Sequence, residues 1–214
     1  MNKSAKTPRA PGRPAAAATV QREQLLSIAT DLFAQQGIQA TRLRAIAERA
    51  GVTPALLNYY FGSKERLVEA MVEERFLPLV ARAAAQLQQA GDDPLALVEA
   101  FIRDMVRNVT EQPWLSQLWV REILCEGGVL RERLMHRVAP MVPLLLAQKF
   151  AAAQARGALN PGLDPRLLVV SLIGLTLLPY AAAPIWRGVF ANPQIGDDAL
   201  ITHTLALLKG GMEP

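Results

Sequence analysis

Apolar positions in this chain recur at helical spacing from one end to the other. Between residues 21 and 36 they fall at Leu25, Leu26, Ala29, Leu32 and Phe33, one face of a first helix that Gly37 ends. Leu43, Ile46 and Ala47 mark a second helix, and Leu57, Tyr60 and Phe61 a short third one. A fourth begins at Ser63 and runs past Arg82, with Pro78 expected to kink or break it. Further helices are predicted over 94–110, 114–126, 129–156 with a bend at Pro140 and Pro143, 165–178 and 197–208. Gly91-Asp92-Asp93-Pro94, Gly127-Gly128 and the loop 160–165 separate them. The fold class is therefore all-α, with no internal repeat.

The stretch 41–67, TRLRAIAERAGVTPALLNYYFGSKERL, adds a specific geometry to this pattern. Gly51 stands just past the second helix, where a left-handed backbone is usually required and only glycine adopts it without steric cost. Thr53 can accept from an orphan amide of the next helix, and Pro54 suits the first helical position. Ser63 can cap the fourth helix. Two helices joined by a glycine turn, the second short and followed by a lysine, form a helix-turn-helix, which places its second helix in the DNA major groove. The outer face of that helix carries Ala55, Asn58 and Tyr59.

Charge follows the motif. Residues 1–66 hold ten lysines and arginines against four acids, a net of +6, whereas the whole chain is +4. The basic excess sits where phosphate neutralisation requires it. Residues 1–20 are rich in Ala, Pro and basic side chains, carry no acid, and are expected to be a disordered basic arm. Two readings of that arm stay open: a solubilising tail, or a minor-groove arm led by Arg9 and Arg13. It lacks the apolar run of a secretion signal.

Composition excludes several classes. The chain is 51% hydrophobic but only 6% aromatic, which suits a core built from Ala and Leu. A single cysteine, Cys125, rules out an internal disulfide framework, fits a reducing cytoplasm, and is expected to be a small buried filler. His136 and His203 have no ligand-spaced neighbours, so no metal is expected, nor any cofactor. No nucleophile–base pair, paired carboxylates or phosphate-cradling loop appears, which argues against an enzyme. Leu167 to Trp186 is uncharged over 20 residues, long enough to span a bilayer. Pro179 and Pro184 interrupt it, and the 12 residues before Pro179 fall in the buried-helix range, so no membrane partner is expected.

The segments LFAQQG (32–37), IAERAGV (46–52) and LNYYFGSKERL (57–67) closely resemble the N-terminal domain of TetR-family transcriptional regulators. The resemblance is specific over about residues 21–70. It implies a three-helix helix-turn-helix domain over 21–66 and a larger C-terminal helical domain over 67–214 for effector binding and dimerisation. It also implies a homodimer that binds a palindromic operator on double-stranded DNA, usually as a repressor, and lets go when a small-molecule effector enters the C-terminal domain. An activator or ligand-independent regulator stays open beside the repressor.

Residue by residue, the resemblance implies DNA contacts at Arg44, Thr53, Pro54, Ala55, Leu56, Tyr59, Tyr60 and Lys64. Pro54, Ala55 and Leu56 offer only apolar contact, for example with thymine methyls. Asn58 departs from the tyrosine common at its position and can pair bidentately with adenine. Tyr60 belongs to the core by periodicity, with only its hydroxyl free for the backbone. Effector contacts are expected from Phe101, Met105, Trp114, Leu118, Trp119, Met135, Met141 and Phe150, with Arg121, Glu122 and His136 as polar groups, and the effector is expected to be mostly apolar. Plain core packing is the competing role for each of them. The dimer interface is expected on Leu167, Val170, Ser171, Gly174 and Leu178, and on Leu200, Thr204, Leu207 and Leu208 of the last helix.

Overall fold

The computed structural model describes residues 15–138, 140–191 and 195–214, and Arg9 and Arg13 lie outside them. The first helix, α1, runs Ala15–Gln36 and so begins inside the stretch expected to be disordered. Four consecutive alanines, 15–18, supply the strongest intrinsic helix propensity and explain the early start. Its expected inward set, Leu25, Leu26, Ala29, Leu32 and Phe33, is buried. Short helices α2 (Leu43–Arg49) and α3 (Pro54–Phe61) pack on α1 through Ile46, Leu57 and Phe61.

Helix α4 (Lys64–Met71) passes into a π-helical turn, Val72–Phe76, and then into α5 (Leu77–Gln89). Pro78 does not end the helical run. The wider turn lies just before it, where the Leu77 amide donates to the Val72 carbonyl. Pro78 then falls at the start of α5, a position that needs no N–H. Helix α6 (Pro94–Glu111) follows with Asp93 capping the Ala96 amide at 2.9 Å.

The expected helix 114–126 is instead α7 (Trp114–Leu118) running into a second π-helical turn, Trp119–Leu124. The expected long helix 129–156 is broken into α8 (Leu130–Val138) and α9 (Pro143–Ala155), because two prolines three residues apart each remove a donor from the ladder. Helix α10 (Pro165–Ala181) carries Pro179 within its last turn. A short helix absent from the sequence reading, α11 (Ala183–Phe190), precedes α12 (Asp197–Met212).

Two cores result. One joins the N-terminal helices to α4, α7 and α8 through Phe33, Met71, Phe76, Trp114 and Leu118. The other fills the space between α5, α6, α9, α10 and α12 around Phe101, Leu146, Phe150 and Leu172. Tyr180 on α10 donates to Asp197 at the start of α12 at 2.6 Å, and Thr110 of α6 donates to the same carboxylate at 2.8 Å. Burial and the carboxylate together push the Tyr180 hydroxyl up to about 12. No single described helix is long and apolar enough to cross a membrane; α10 and α11 would pass by length together but are bent by 70°.

Candidate DNA-contacting surface and ligand cavity

The backbone around α3 has the geometry that its residue types predict. Gly51 lies at φ +65° and Gly62 at φ +74°, both in the left-handed region. The Thr53 hydroxyl accepts from the Leu56 amide at 3.3 Å, and Ser63 accepts from Arg66 at 3.3 Å, so both helix starts are capped. Leu57 and Phe61 seal the inner face of α3. Arg22 of α1 stacks over the Phe61 ring at 4.9 Å and forms a two-pronged ion pair with Glu74 at 2.6 and 2.7 Å. That guanidinium holds the Glu74 carboxyl below its usual range.

The outer face of α3 is open. Thr53, Pro54, Ala55 and Asn58 are exposed, Leu56 is half-buried, and Tyr59 is 80% exposed. Its ring meets the edge of Tyr60 at 5.3 Å between centroids and otherwise stands in the open beside Asn58. Tyr60 packs its ring on the core and donates its hydroxyl to Gln21 at 3.4 Å. Arg44 points outward and pairs with Glu48 on its own helix at 2.8 Å. Lys64 is half-buried, with its ammonium on the Gln39 carbonyl at 2.9 Å. One of its three donors is therefore committed, and two are free to turn to a phosphate.

A cavity of about 90 Å³, partly open to solvent, lies between α5, α6, α7, α10 and the turn after α8. Its wall is almost entirely apolar: Phe76, Leu79, Val80, Ala83, Phe101, Met105, Leu115, Trp119, Val138, Val142, Pro143, Ile173 and Leu177. Asp104 and Asn108 are the polar side chains in the wall. Asn108 donates to Asp104 at 2.9 Å, Asp104 also pairs with Arg107, and Arg82 reaches both residues from α5. Every buried polar atom there has a partner within the chain, so the wall presents an apolar guest with no unmet hydrogen bond.

The family model for bacterial regulatory proteins of the tetR family matches residues 25–71. The HTH-type transcriptional regulator RutR of Escherichia coli is 33% identical over 196 residues, spanning 91% of this chain and 89% of RutR. The chain belongs to the TetR family. UidR of Escherichia coli, also an HTH-type transcriptional regulator, is 24% identical over 201 residues, 89% of this chain and 92% of UidR. Among solved structures, the ketosteroid regulator KstR2 of Mycobacterium tuberculosis superposes with a TM-score of 0.70 at 19% identity, covering 91% and 95% of the two chains. NalD of Pseudomonas aeruginosa, a repressor of an efflux pump, does so at 0.68 and 24% identity, covering 92% and 98%. The all-helical fold and the role of transcriptional regulator, rather than enzyme, follow from this membership.

Within this TetR-family regulator, the residues expected at the effector site divide. Phe101, Met105 and Trp119 line the cavity. Trp114 packs instead on Phe76, ring centroids 5.4 Å apart, and Leu118 and Phe150 are sealed core. Met135 and His136 are exposed on α8, because α8 turns its Leu130 and Leu134 inward. Arg121 and the exposed Cys125 border a separate open cleft, so Cys125 is no core filler. Glu122 is buried away from the cavity. The α5 wall lies outside 98–150, the stretch in which the sequence pattern places the effector site. The pattern also misses Asp104 and Asn108, although Phe101, Asp104, Met105 and Asn108 share one helical face and a polar pair on an apolar stripe is the available signal.

The expected dimer residues divide as well. Leu167, Val170 and Leu178 of α10 are each 63% exposed, with Ser171 and Gly174 open between them. On α12 the phase differs. Thr204 is buried, Leu200 and Leu208 pack on the chain's own core, and only Leu207 of the expected set faces out. The exposed stripe there is His203, Ala206, Leu207 and Gly210. Residues 199–208 are apolar nearly all round, so periodicity alone could not choose the outward face.

Proposed function

We propose that this regulator is a homodimeric repressor that reads a twofold-symmetric operator through the outer face of α3 and releases it when a mostly apolar small molecule enters the cavity. The observation that carries the DNA-binding part is the bare Tyr59 beside Asn58 on a short helix whose opposite face is sealed by Leu57 and Phe61. The exposed apolar stripe of α10 supports self-association: three large aliphatic residues on one face are a poor surface for a lone chain. Two copies give two recognition helices, and each reads one half-site about one helical turn from the other. DNA as partner puts the site of action in the cytoplasm. Arg9 and Arg13 would then add minor-groove contacts from the arm.

The architecture supports a route for effector release. Phe76, in the cavity wall, belongs to the same π-helical turn as Glu74, which grips Arg22 of the DNA-binding domain. A guest that displaces Phe76 therefore bears on the rod α4–α5 and on the grip together, and it shifts the protein toward a geometry that fits the operator less well.

Selection of bound sequences from a random duplex pool tests the reading. An inverted repeat bound by a dimer is expected; a sequence with no twofold symmetry, or no enrichment at low salt, contradicts it. N-phenyl-1-naphthylamine, neutral and apolar, is expected to brighten on entering the cavity and to loosen the selected duplex. Deleting the gene should raise transcription from a promoter that carries the selected site, whereas an activator would show a fall.

Arg44→Ala is expected to flatten the plot of log affinity against log salt by about one unit, the signature of one lost phosphate contact. Breaking the Arg44–Glu48 pair to reach DNA costs little, because both side chains are solvent-exposed, 82% and 65%. An unchanged slope shows that Arg44 does not touch the DNA backbone.

A further inference from the structure

A buried carboxylate joins the two domains without taking part in either surface described above. Glu122 is 4% exposed and stands in the π-helical turn that continues α7. Its Oε1 accepts from the Ile38 amide at 2.8 Å, in the turn that ends α1. Its Oε2 accepts from the Val129 amide at 3.0 Å, just before α8. Three residues earlier in the same turn, Trp119 lines the cavity.

The surroundings fit this clamp closely. Gly37 lies at φ +88°, and a Cβ there would stand 3.3 Å from Glu122 Oε1 and 3.2 Å from Arg121 Cδ. Gln39 extends its amide to the Gly127 carbonyl at 3.4 Å, and its own carbonyl receives Lys64 at the α3–α4 junction. Arg131 of α8 closes the far end, donating to the carbonyls of Ile123, Leu124 and Cys125 at 2.6–2.8 Å. A continuous chain of contacts thus runs from Trp119 through Glu122 and the 37–41 turn to the residue that opens α4 behind the recognition helix.

We propose that Glu122 is a positioning residue that couples occupancy of the cavity to the DNA-binding domain, by a route separate from the α4–α5 rod. The inference rests on the cavity being the effector site. Its moving part is the π-helical turn itself. Such a turn holds one residue more than a regular α-turn, so the two forms are discrete alternatives and not ends of a continuous bend. A guest pressing on Trp119 favours the regular form. Re-registering by one residue rotates the following side chains by about 100° about the axis. That rotation withdraws the Glu122 carboxylate from Ile38 and Val129 together. The 37–41 turn then loses its anchor and, through Gln39 and Lys64, the seat of the recognition helix shifts. A glutamine at 122 can accept from one of these amides but turns an N–H donor toward the other, so it breaks the paired clamp while keeping the shape.

The test uses a filled cavity in place of an unidentified effector. Ala83 lies in the wall, and Ala83→Phe puts a phenyl ring into the space. Affinity for the selected operator duplex is measured for wild type, Ala83→Phe, Glu122→Gln and the double variant. Filling the cavity is expected to weaken binding about tenfold or more in the wild-type background and about threefold less than that in the Glu122→Gln background, where the α4–α5 rod is the remaining route. Equal weakening in both backgrounds overturns the role of Glu122 and leaves the cavity as effector site intact. No weakening in the wild-type background overturns the cavity reading and the coupling with it. If Glu122→Gln does not fold, amide hydrogen exchange of Ala83→Phe against wild type decides. Joint loss of protection at Ile38 and Val129 supports the coupling, and unchanged protection at both overturns it.

Discussion

A chain carrying Leu167→Glu and Leu178→Glu is expected to be a folded monomer that no longer holds its operator. Both side chains are 63% exposed in the single chain, so the substitutions disturb little internal packing, and circular dichroism and melting of the monomer should stay close to wild type. In a dimer the same positions leave water. Each buried leucine contributes roughly 1.5–3 kcal/mol to association, and the twofold axis doubles the number lost. Four carboxylates brought together at one interface add a further penalty, because buried charges without partners are strongly disfavoured. A loss of at least about 4 kcal/mol, a thousandfold in the dimer dissociation constant, is the expected outcome by sedimentation. Operator affinity should fall at least about a hundredfold, since a single recognition helix reads one half-site and forfeits half the phosphate contacts. A variant that remains dimeric and binds DNA normally would place the interface on another face.

The second large effect is expected at Gly128. A Cβ on this residue would lie 2.2 Å from the Glu122 carbonyl oxygen and 2.5 Å from its carbon. Both are backbone atoms, so no side-chain rotation relieves the contact, and the loop 125–129 must move as a unit. Gly128→Ala is therefore expected to lower stability by at least about 1–3 kcal/mol, the usual range for overpacking. It should also raise hydrogen exchange at Val129 and Ile38, because both amides are held by the residue that the new methyl displaces. Gly127, one position earlier, meets nothing within 4 Å and differs only in its left-handed φ of +79°. Gly127→Ala should thus cost mainly backbone strain, about 1 kcal/mol, and leave the clamp in place. Equal effects at the two glycines would show that the close approach seen at Gly128 does not persist in solution.

Much of the fold was legible because local chemistry and global packing agree. Gly51, Thr53, Pro54 and Ser63 each act where their residue type directs, so the turn and both helix starts of the helix-turn-helix were legible in the sequence. The same holds for the outward Asn58 and Tyr59. The cavity was less legible for a physical reason. Its walls come from α5, α6, α7 and α10, which are distant in sequence, and an apolar residue facing a void has the same periodicity as one facing a neighbour. The π-helical turns left no readable mark either, since extra-residue turns arise from packing on both sides and not from a local residue preference. Glu122 reads from the sequence as a polar group of the effector site, whereas in the fold it lies buried away from the cavity. Its partners are two backbone amides, and backbone donors carry no sequence signal.

Methylation interference on the selected operator reads where α3 of each subunit meets the DNA. Guanine N7 lies in the major groove and adenine N3 in the minor groove. Two clusters of interfering guanines about ten base pairs apart, related by the twofold axis, are expected, and both should weaken when Asn58 and Tyr59 are replaced by alanine. Interference confined to a single cluster, or clusters untouched by both substitutions, would contradict that arrangement.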